Sequence, residues 1–234
     1  MMKIIIICLL LILLFIILYE PPVDPSITFP RGYTEEEDQW EEPVVVENLL
    51  SIEECNKIIE SSKDKFSQSQ VIGPNTGDRT SETAWIHKDD PIAKKILLKA
   101  CEMTGKPIEN CEDLQIVRYK PGTFYKSHHD SCCENNEGCK NFEKSGGQRV
   151  GTLILYLNDD FTDGHTEFPN LKKKYRSPPG SGLFFRPLDK DYKRCHRLAL
   201  HGGMPPSSGT KYLCNAWVRA VSYTHLTLPT KRIV

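Results

Sequence analysis

The segment Tyr125-Lys126-Ser127-His128-His129-Asp130 carries two imidazoles and a carboxylate in three consecutive positions. On a strand, side chains two apart share a face, so His128 and Asp130 point together while His129 points away. A neutral imidazole and a carboxylate converging on a cavity offer two ligands to a divalent metal; an ordinary surface pair is the plain alternative. A third ligand has three downstream candidates, His165, His196 and His201. Two histidines and one carboxylate on a single face of an ion leave three positions open, a pattern suited to iron(II) and O2.

His201 is favoured by its downstream context. Lys211 lies ten residues on and opens the run Lys211-Tyr-Leu-Cys-Asn-Ala-Trp217-Val. By period two, Lys211, Leu213, Asn215 and Trp217 share one face. An ammonium group on an otherwise apolar inward face is costly unless it meets an acid. A dicarboxylate held in the cavity meets that need; a lysine solvated on an edge strand needs no such partner.

These residues sit among short β-rich runs: 114–120, 123–129, 149–157, 182–187 and 211–218, separated by Gly, Pro, Asn and Asp. Two helices precede them. Ser51-Ile-Glu-Glu54 is a capping box that opens a helix ending near Phe66, and Asp90-Pro91 caps a second that stops at Gly105. Helices first and many short strands afterwards predict an α+β fold whose strands close into a sandwich or jelly roll.

A chain of 234 residues suits one domain with appendages. Thirty Lys plus Arg against 31 Asp plus Glu leave a net charge of −1, which argues against a general nucleic-acid binder. Residues 4–19 form an unbroken apolar run after Lys3 and before Glu20-Pro-Pro-Val-Asp-Pro25. As a helix that run reaches about 24 Å, short for a bilayer core but without a small-x-small cleavage site behind it. The expectation is an uncleaved signal anchor over 1–19, a Pro-rich acidic linker over 20–42, and a domain over 43–221 across the membrane from Lys3. The tail 222–234 breaks the strand pattern and is read as non-native, its His225 included. Of nine cysteines, Cys132, Cys133 and Cys139 lack any usual zinc spacing, so a disulfide-stapled loop is expected.

Four stretches in this order resemble the iron(II)/2-oxoglutarate dioxygenases of the prolyl 4-hydroxylase type. They are Leu114 to Asp130, Gly147-Gln-Arg-Val-Gly-Thr-Leu-Ile-Leu-Tyr-Leu157, Asp163-Gly-His-Thr-Glu-Phe-Pro-Asn170 and His201-Gly-Gly-Met-Pro with Lys211 and Trp217. Upstream, Arg79-Thr-Ser-Glu-Thr-Ala-Trp85 is similar to the family's Arg-Thr-Ser segment. The resemblance covers roughly residues 44–220. It implies a double-stranded β-helix, a jelly roll of the cupin type, supported by the N-terminal helices. It further implies that His128, Asp130 and His201 hold iron(II), that Lys211 takes the distal carboxylate of 2-oxoglutarate, and that Tyr119 and Thr166 bind the same co-substrate. Arg149, Tyr125 and Trp217 would line a groove for a proline-containing peptide, with Arg79, Ser81 and Glu112 on its outer side. O2 as second co-substrate and ascorbate are implied by the same likeness, as is a type II membrane protein with its domain in the endoplasmic reticulum or Golgi lumen. Neutral iron-binding imidazoles would make activity fall below about pH 6.

Two departures from the family pattern stand out. Where the family reads Gly-Gly-Glu-Thr, this chain has Asp163-Gly164-His165-Thr166, and the insert from Cys132 to Phe142 comes directly after Asp130. His165 is read as an ordinary loop histidine, and the insert as able to reshape the peptide entrance. Three rival readings share parts of this pattern. They are a 2-oxoglutarate oxygenase with another substrate, a non-catalytic peptide-binding module and a metal-dependent cupin-like isomerase or hydrolase. Only the last two have no need of Lys211.

Overall fold

The apolar runs Leu114–Tyr119 and Arg149–Tyr156 are buried on both faces, and this sets the layering. A strand covered on both sides reads as nearly continuous hydrophobic sequence rather than as alternation. In a computed structural model of the chain, residues 40–71, 77–134, 136–190, 192 and 194–221 are described, all within the unit Arg31–Val234. The expected anchor, most of the expected linker and the tail lie outside them. Among the described residues no helix is long and apolar enough to cross a membrane.

The chain begins β1 (Val44–Val46), α1 (Ile52–Ser62), β2 (Ser67–Gln68), β3 (Glu82–Ile86) and α2 (Pro91–Thr104). It continues β4 (Leu114–Tyr119), β5 (Tyr125–His128), α3 (Glu137–Glu143), β6 (Arg149–Tyr156), β7 (Phe161–Asp163) and β8 (Thr166–Phe168). The last strands are β9 (Lys173–Tyr175), β10 (Gly182–Phe185), β11 (His201–Gly203), β12 (Pro206–Gly209) and β13 (Lys211–Arg219). A seven-stranded sheet runs β1-β10-β6-β13-β4-β3-β2, a four-stranded one runs β5-β11-β8-β9, and β12 pairs with β7.

The helices form where the sequence places them. The Glu54 amide donates to Ser51 Oγ and the Ser51 amide donates to Glu54 Oε2, so both halves of the capping box are made. Asp90 Oδ1 accepts from the amides of Ile92 and Ala93, and Gly105 ends α2 at φ 68°. One core joins Ile58, Ile96 and Leu97 of these helices to Ile116, Leu153, Leu155 and Cys214 on the outer face of the large sheet. The opposite face contributes Val117, Tyr119, Ile154, Tyr156 and Leu213 to a second core with Phe168 and Phe185. Alternate residues of the same strands therefore serve two different cores.

Packing already begins at Trp40, inside the expected linker: its ring stacks on His196 at 5.1 Å and its Nε1 donates to the Arg186 carbonyl. Strand ends differ from the sequence expectation by one to two residues at β4, β5, β6, β10 and β13. The sequence reading also lacked β2, β3, β12, the three-residue strands and α3. These elements carry too few residues for a period to show. Helix α3 is capped by Asn136, whose Oδ1 accepts from the Cys139 amide, and it lies inside the expected stapled insert. The bridges there are Cys132–Cys139 and Cys133–Cys195. The second closes 62 residues and ties the loop after Asp130 to the one before His201. By the chain-entropy argument it stabilises by roughly 4 kcal/mol. Cys55, Cys101, Cys111 and Cys214 are free and buried.

Sheet closure leaves no room at Gly182. A Cβ there would lie 1.8 Å from the Ile154 carbonyl oxygen and 2.8 Å from Leu155 Cα, both backbone of the paired strand β6. Gly182→Ala is expected to lower unfolding free energy by about 3 kcal/mol or more, since only a shift of β10 relieves the clash. Urea denaturation measures this; an unchanged midpoint would show that β10 is free to move.

Candidate active site

His128 closes β5 and His201 opens β11, and the two are partners in register across the small sheet. Asp130 lies two residues beyond the end of β5. Ligand atoms of these three side chains all lie within 4.8 Å of one another. His128 Nε2 is 3.6 Å from Asp130 Oδ1, and His201 Nε2 is 3.7 Å from Asp130 Oδ2. Both rings are oriented by backbone: the Lys126 carbonyl accepts from His128 Nδ1 at 2.8 Å, and the Ala199 carbonyl from His201 Nδ1 at 3.0 Å. A proton held on each Nδ1 leaves each Nε2 lone pair aimed at the shared centre, the arrangement metal-binding histidines need. Tyr125 stacks on His128 at 3.5 Å, and the edges of Phe185 and the face of Phe168 enclose His201.

Thr152 Oγ1 donates to Asp130 Oδ2 at 2.7 Å. Sequence reading missed this residue, although its parity on β6 was the available signal: Thr152 interrupts an apolar run at a position facing Asp130. The carboxyl of Asp130 is buried, which by itself raises its pKa, but His201, His128 and Arg149 outweigh burial and hold it far below the usual range. Burial pushes His201 down to about 4 against the opposing pull of Asp130, and pushes His129 down to about 3. The fall of activity below about pH 6 expected from ordinary imidazoles is therefore displaced to lower pH for His201.

Stability carries the same sign. Unfolded imidazoles take up protons as pH falls through about 6.5, whereas native His201 and His129 do not until about 4 and 3. Stability of the metal-free protein should fall over that window, and Asp130 adds a further loss below its unfolded pKa near 3.8. Urea midpoints should be lower at pH 5 than at pH 7; equal midpoints would mean that these rings protonate freely.

Lys211 is completely buried at the start of β13, opposite Tyr119 of β4. Its Nζ lies 4.8 Å from the Tyr119 ring centre and 5.3 Å from that of Tyr156, and it has no hydrogen-bond partner. Burial, reinforced by the Arg176 charge, pulls it down to about 7. Thr166 and Tyr156 hydroxyls are 2.7 Å apart in the same core. An orphaned ammonium facing two aromatic rings calls for an acid, and the two histidines with Asp130 are a donor set for iron(II). The residues present thus fit a metal and a dicarboxylate. The enclosed space between Tyr119, Thr166, Gly203, Leu213 and the triad is about 20 Å³, roughly one water's worth. Side chains must move for a dicarboxylate to lie there.

Of the remaining predicted residues, Tyr125 and Trp217 line the small cavity with the triad. Arg149 Cζ stands 3.5 Å above the Trp217 ring, and its guanidinium is held by Glu112 through Nε at 2.7 Å and Nη2 at 2.8 Å. Glu112 also accepts from Arg219 Nε, so its carboxylate is taken up inside the protein and reaches the groove through Arg149. Arg79 and Ser81 are likewise buried: Arg79 Nε donates to Ser81 Oγ, and its Cζ lies 4.4 Å from the Tyr125 ring centre. A cavity of about 580 Å³ opens in front of His128, walled by Tyr125, Ser131 and the Cys132–Cys139 loop.

Of the other third-ligand candidates, His196 stacks on Trp40 and accepts the Leu198 amide, and it is not a member of the cluster. His165 lines a separate concavity with Met204 and Pro206, and its Nε2 is buried without a partner. A second cluster among the described residues, His129 with Cys133 and Cys195, has its two sulfurs joined to each other.

Residues 114–219 match the family model described as the 2OG-Fe(II) oxygenase superfamily. A provisionally named prolyl 4-hydroxylase of Acanthamoeba polyphaga mimivirus is 41% identical over 189 residues, covering 80% of this chain and 78% of the relative. Prolyl 4-hydroxylase 1 of Arabidopsis thaliana is 30% identical over 198 residues, 75% of this chain and 68% of that protein. Among solved structures, the viral collagen prolyl hydroxylase of Paramecium bursaria Chlorella virus-1 in complex with 2-oxoglutarate superposes with a TM-score of 0.62. It is 29% identical and covers 77% of this chain and 97% of that one. The match extends to the jelly-roll sheets described above.

Proposed function

We propose, from the premise that this chain belongs to the prolyl 4-hydroxylase family of the 2OG-Fe(II) oxygenase superfamily, that it hydroxylates C4 of proline in a peptide or protein. The observation that carries this reading is the pairing of a two-histidine, one-carboxylate cluster with a buried, unpartnered ammonium in one core. When bound, iron(II) and 2-oxoglutarate supply an O2-dependent oxidation that yields succinate, CO2 and one oxygen on the peptide.

The chain's own residues do the positioning. Nε2 of His128 and His201 and the Asp130 carboxylate would hold the metal, with Thr152 fixing the carboxylate. Lys211 would pair with the distal carboxylate of the co-substrate, with Tyr119 and Thr166 as hydroxyl partners. Supplying one acid to a buried cation removes the cost of burying it alone. Phe168 and Phe185 exclude water behind His201. Arg149, stacked on Trp217 and immobilised by Glu112, would donate to peptide carbonyls, and Tyr125 would pack against the target ring. Arg79 and Ser81 would act from behind Tyr125, as supports for it.

The wider reading is that ascorbate keeps the metal reduced and that the apolar run 4–19 anchors the domain on the lumenal side of an endoplasmic reticulum or Golgi membrane. The lack of a small-x-small site behind that run and the two disulfides support it. Protease protection of the domain in sealed microsomes would test the topology. The activity is tested with purified protein, iron(II), 2-oxoglutarate and a proline-rich peptide: succinate should appear in step with a mass gain of one oxygen. No peptide-dependent succinate across a broad panel would overturn the assignment.

A further inference from the structure

The stapled insert after Asp130 is held at both ends by one side chain. Gln148 Nε2 donates to the Cys132 carbonyl at 2.8 Å and to Glu143 Oε1 at 2.7 Å, and Gln148 Oε1 accepts from the Cys132 amide at 2.9 Å. Its neighbour Arg149 is tied to the same loop, since its main-chain carbonyl accepts from Ser131 Oγ at 2.6 Å. Between these ends lies α3, seven residues long and too short to persist alone in water. The Cys132–Cys139 bridge and the Asn136 cap hold it in place. Near its C-terminal end α3 carries Phe142.

Phe142 meets two guanidinium groups. Its ring centre is 4.2 Å from Arg219 Cζ and 5.2 Å from Arg149 Cζ, both within reach of a cation–π contact. Its carbonyl and that of Gly147 accept from Arg219 Nη1 at 3.0 and 2.7 Å. These contacts bear on a shared acid. Glu112 Oε1 accepts from Arg149 Nε at 2.7 Å and from Arg219 Nε at 2.8 Å, so one carboxylate serves two cations. Two like charges drawn to one oxygen inside a protein repel each other, and each needs further partners to stay. Arg219 finds them in the two carbonyls supplied by α3 and the turn after it. Arg149 has the rings of Trp217 and Phe142, and one long contact from Nη1 to the Asp130 carbonyl at 3.4 Å. N–H groups therefore remain on its fork for a peptide, while the rings restrain its plane.

We infer that Phe142 is a positioning residue for peptide binding: carried on the stapled helix α3, it keeps both arginines in place on Glu112 and so fixes the Arg149 fork that the peptide meets. This rests on the prolyl hydroxylase reading and adds to it the element that sets peptide affinity. Phe142 stands outside the cavity lined by the triad, Tyr119 and Thr166, so its loss should spare the chemical step and co-substrate binding.

The experiment reads kcat and KM for one proline-rich peptide at saturating 2-oxoglutarate, together with the KM for 2-oxoglutarate. In Phe142→Ala the peptide KM should rise about 10-fold, equal to about 1.4 kcal/mol, with kcat and the 2-oxoglutarate KM within about twofold. Phe142→Tyr should keep the wild-type peptide KM because a ring face remains, whereas Phe142→Leu, which keeps only apolar volume, should behave like Ala. Should the Ala variant lose its thermal transition, Tyr against Leu still decides. Leu matching Tyr would make Phe142 a packing residue and overturn the inference. So would an unchanged peptide KM in Phe142→Ala, or an equal loss in kcat or in the 2-oxoglutarate KM. The staple is read separately: Cys132→Ser with Cys139→Ser should also raise the peptide KM, and adding Phe142→Ala should then cost little more, because both changes release one ring. Additive losses would overturn the link between the bridge and Phe142. Failure of the wild-type protein to turn over any proline peptide removes the parent reading along with this one, which sets it apart from failure of the Phe142 role alone.

Discussion

Asp130→Ala should abolish stoichiometric iron(II) binding and lower turnover roughly 10³-fold or more, because it deletes the anionic ligand between two imidazoles. The loss is compounded by burial. Asp130 is 6% exposed, and His201, 4% exposed, would be left with no carboxylate beside it to offset a cation placed there. The neighbouring hydroxyl offers a graded control. Thr152→Ala removes the hydrogen bond to Oδ2 without touching a ligand atom, and should weaken iron affinity about 10–100-fold, as loss of a ligand's outer partner commonly does. Thr152→Ser should recover most of it. Equilibrium dialysis coupled to metal analysis reads all three variants; Asp130→Ala protein that retained one iron per chain would show that the cluster is not the metal site.

Lys211→Met should separate co-substrate binding from metal binding and from stability. Loss of an ion pair in a fully buried setting should raise the 2-oxoglutarate dissociation constant about 100-fold, the equivalent of roughly 2.7 kcal/mol, with iron affinity nearly unchanged. In the ligand-free protein the same change should be stabilising. The native amine is held down to about 7 while the unfolded one titrates near 10.5, so folding expels a proton and loses stability progressively as pH falls from 10.5 to 7. A thioether of similar length carries no such cost. The wild-type protein should also bind 2-oxoglutarate more weakly as pH rises through 7, with measurable proton uptake on binding, since the acid needs the charged amine. Calorimetry in buffers of different ionisation enthalpy reads both. Unchanged co-substrate affinity in Lys211→Met would sink the role assigned to this residue.

The two effects identify different halves of one site. The triad sits on the small sheet and its flanking loop, whereas Lys211 and Tyr119 belong to the large sheet, and the core of Phe168, Phe185, Tyr156 and Leu213 joins them. The bridge from Cys133 to Cys195 clamps the loop after Asp130 to the one before His201. Metal affinity is therefore tied to the packing of two sheets, and distant core changes such as Gly182→Ala are expected to reduce it.

Much of this was legible in the amino-acid order because the relevant signals are local. Period two lined up Lys211, Leu213, Asn215 and Trp217 on β13. It also paired His128 with Asp130 correctly, although the strand ends at His128 and Asp130 sits in the loop beyond it. A capping box and an Asp-Pro start placed both helices, since those hydrogen bonds close within four residues. The choice among His165, His196 and His201 rested on ten residues of downstream context, and the α+β order of elements came from two helix caps followed by short β-rich runs between turn residues.

What the chain's order could not contain is which strands face each other. Thr152 matters because β6 runs beneath Asp130, and Glu112 is occupied because two arginines from β6 and β13 converge on it. These contacts span tens of residues, up to 107 between Glu112 and Arg219. Local propensity carries no information at such separations. Side-chain type and spacing determined which chemistry was available; burial between two sheets decided which groups lost their water and which partners replaced it.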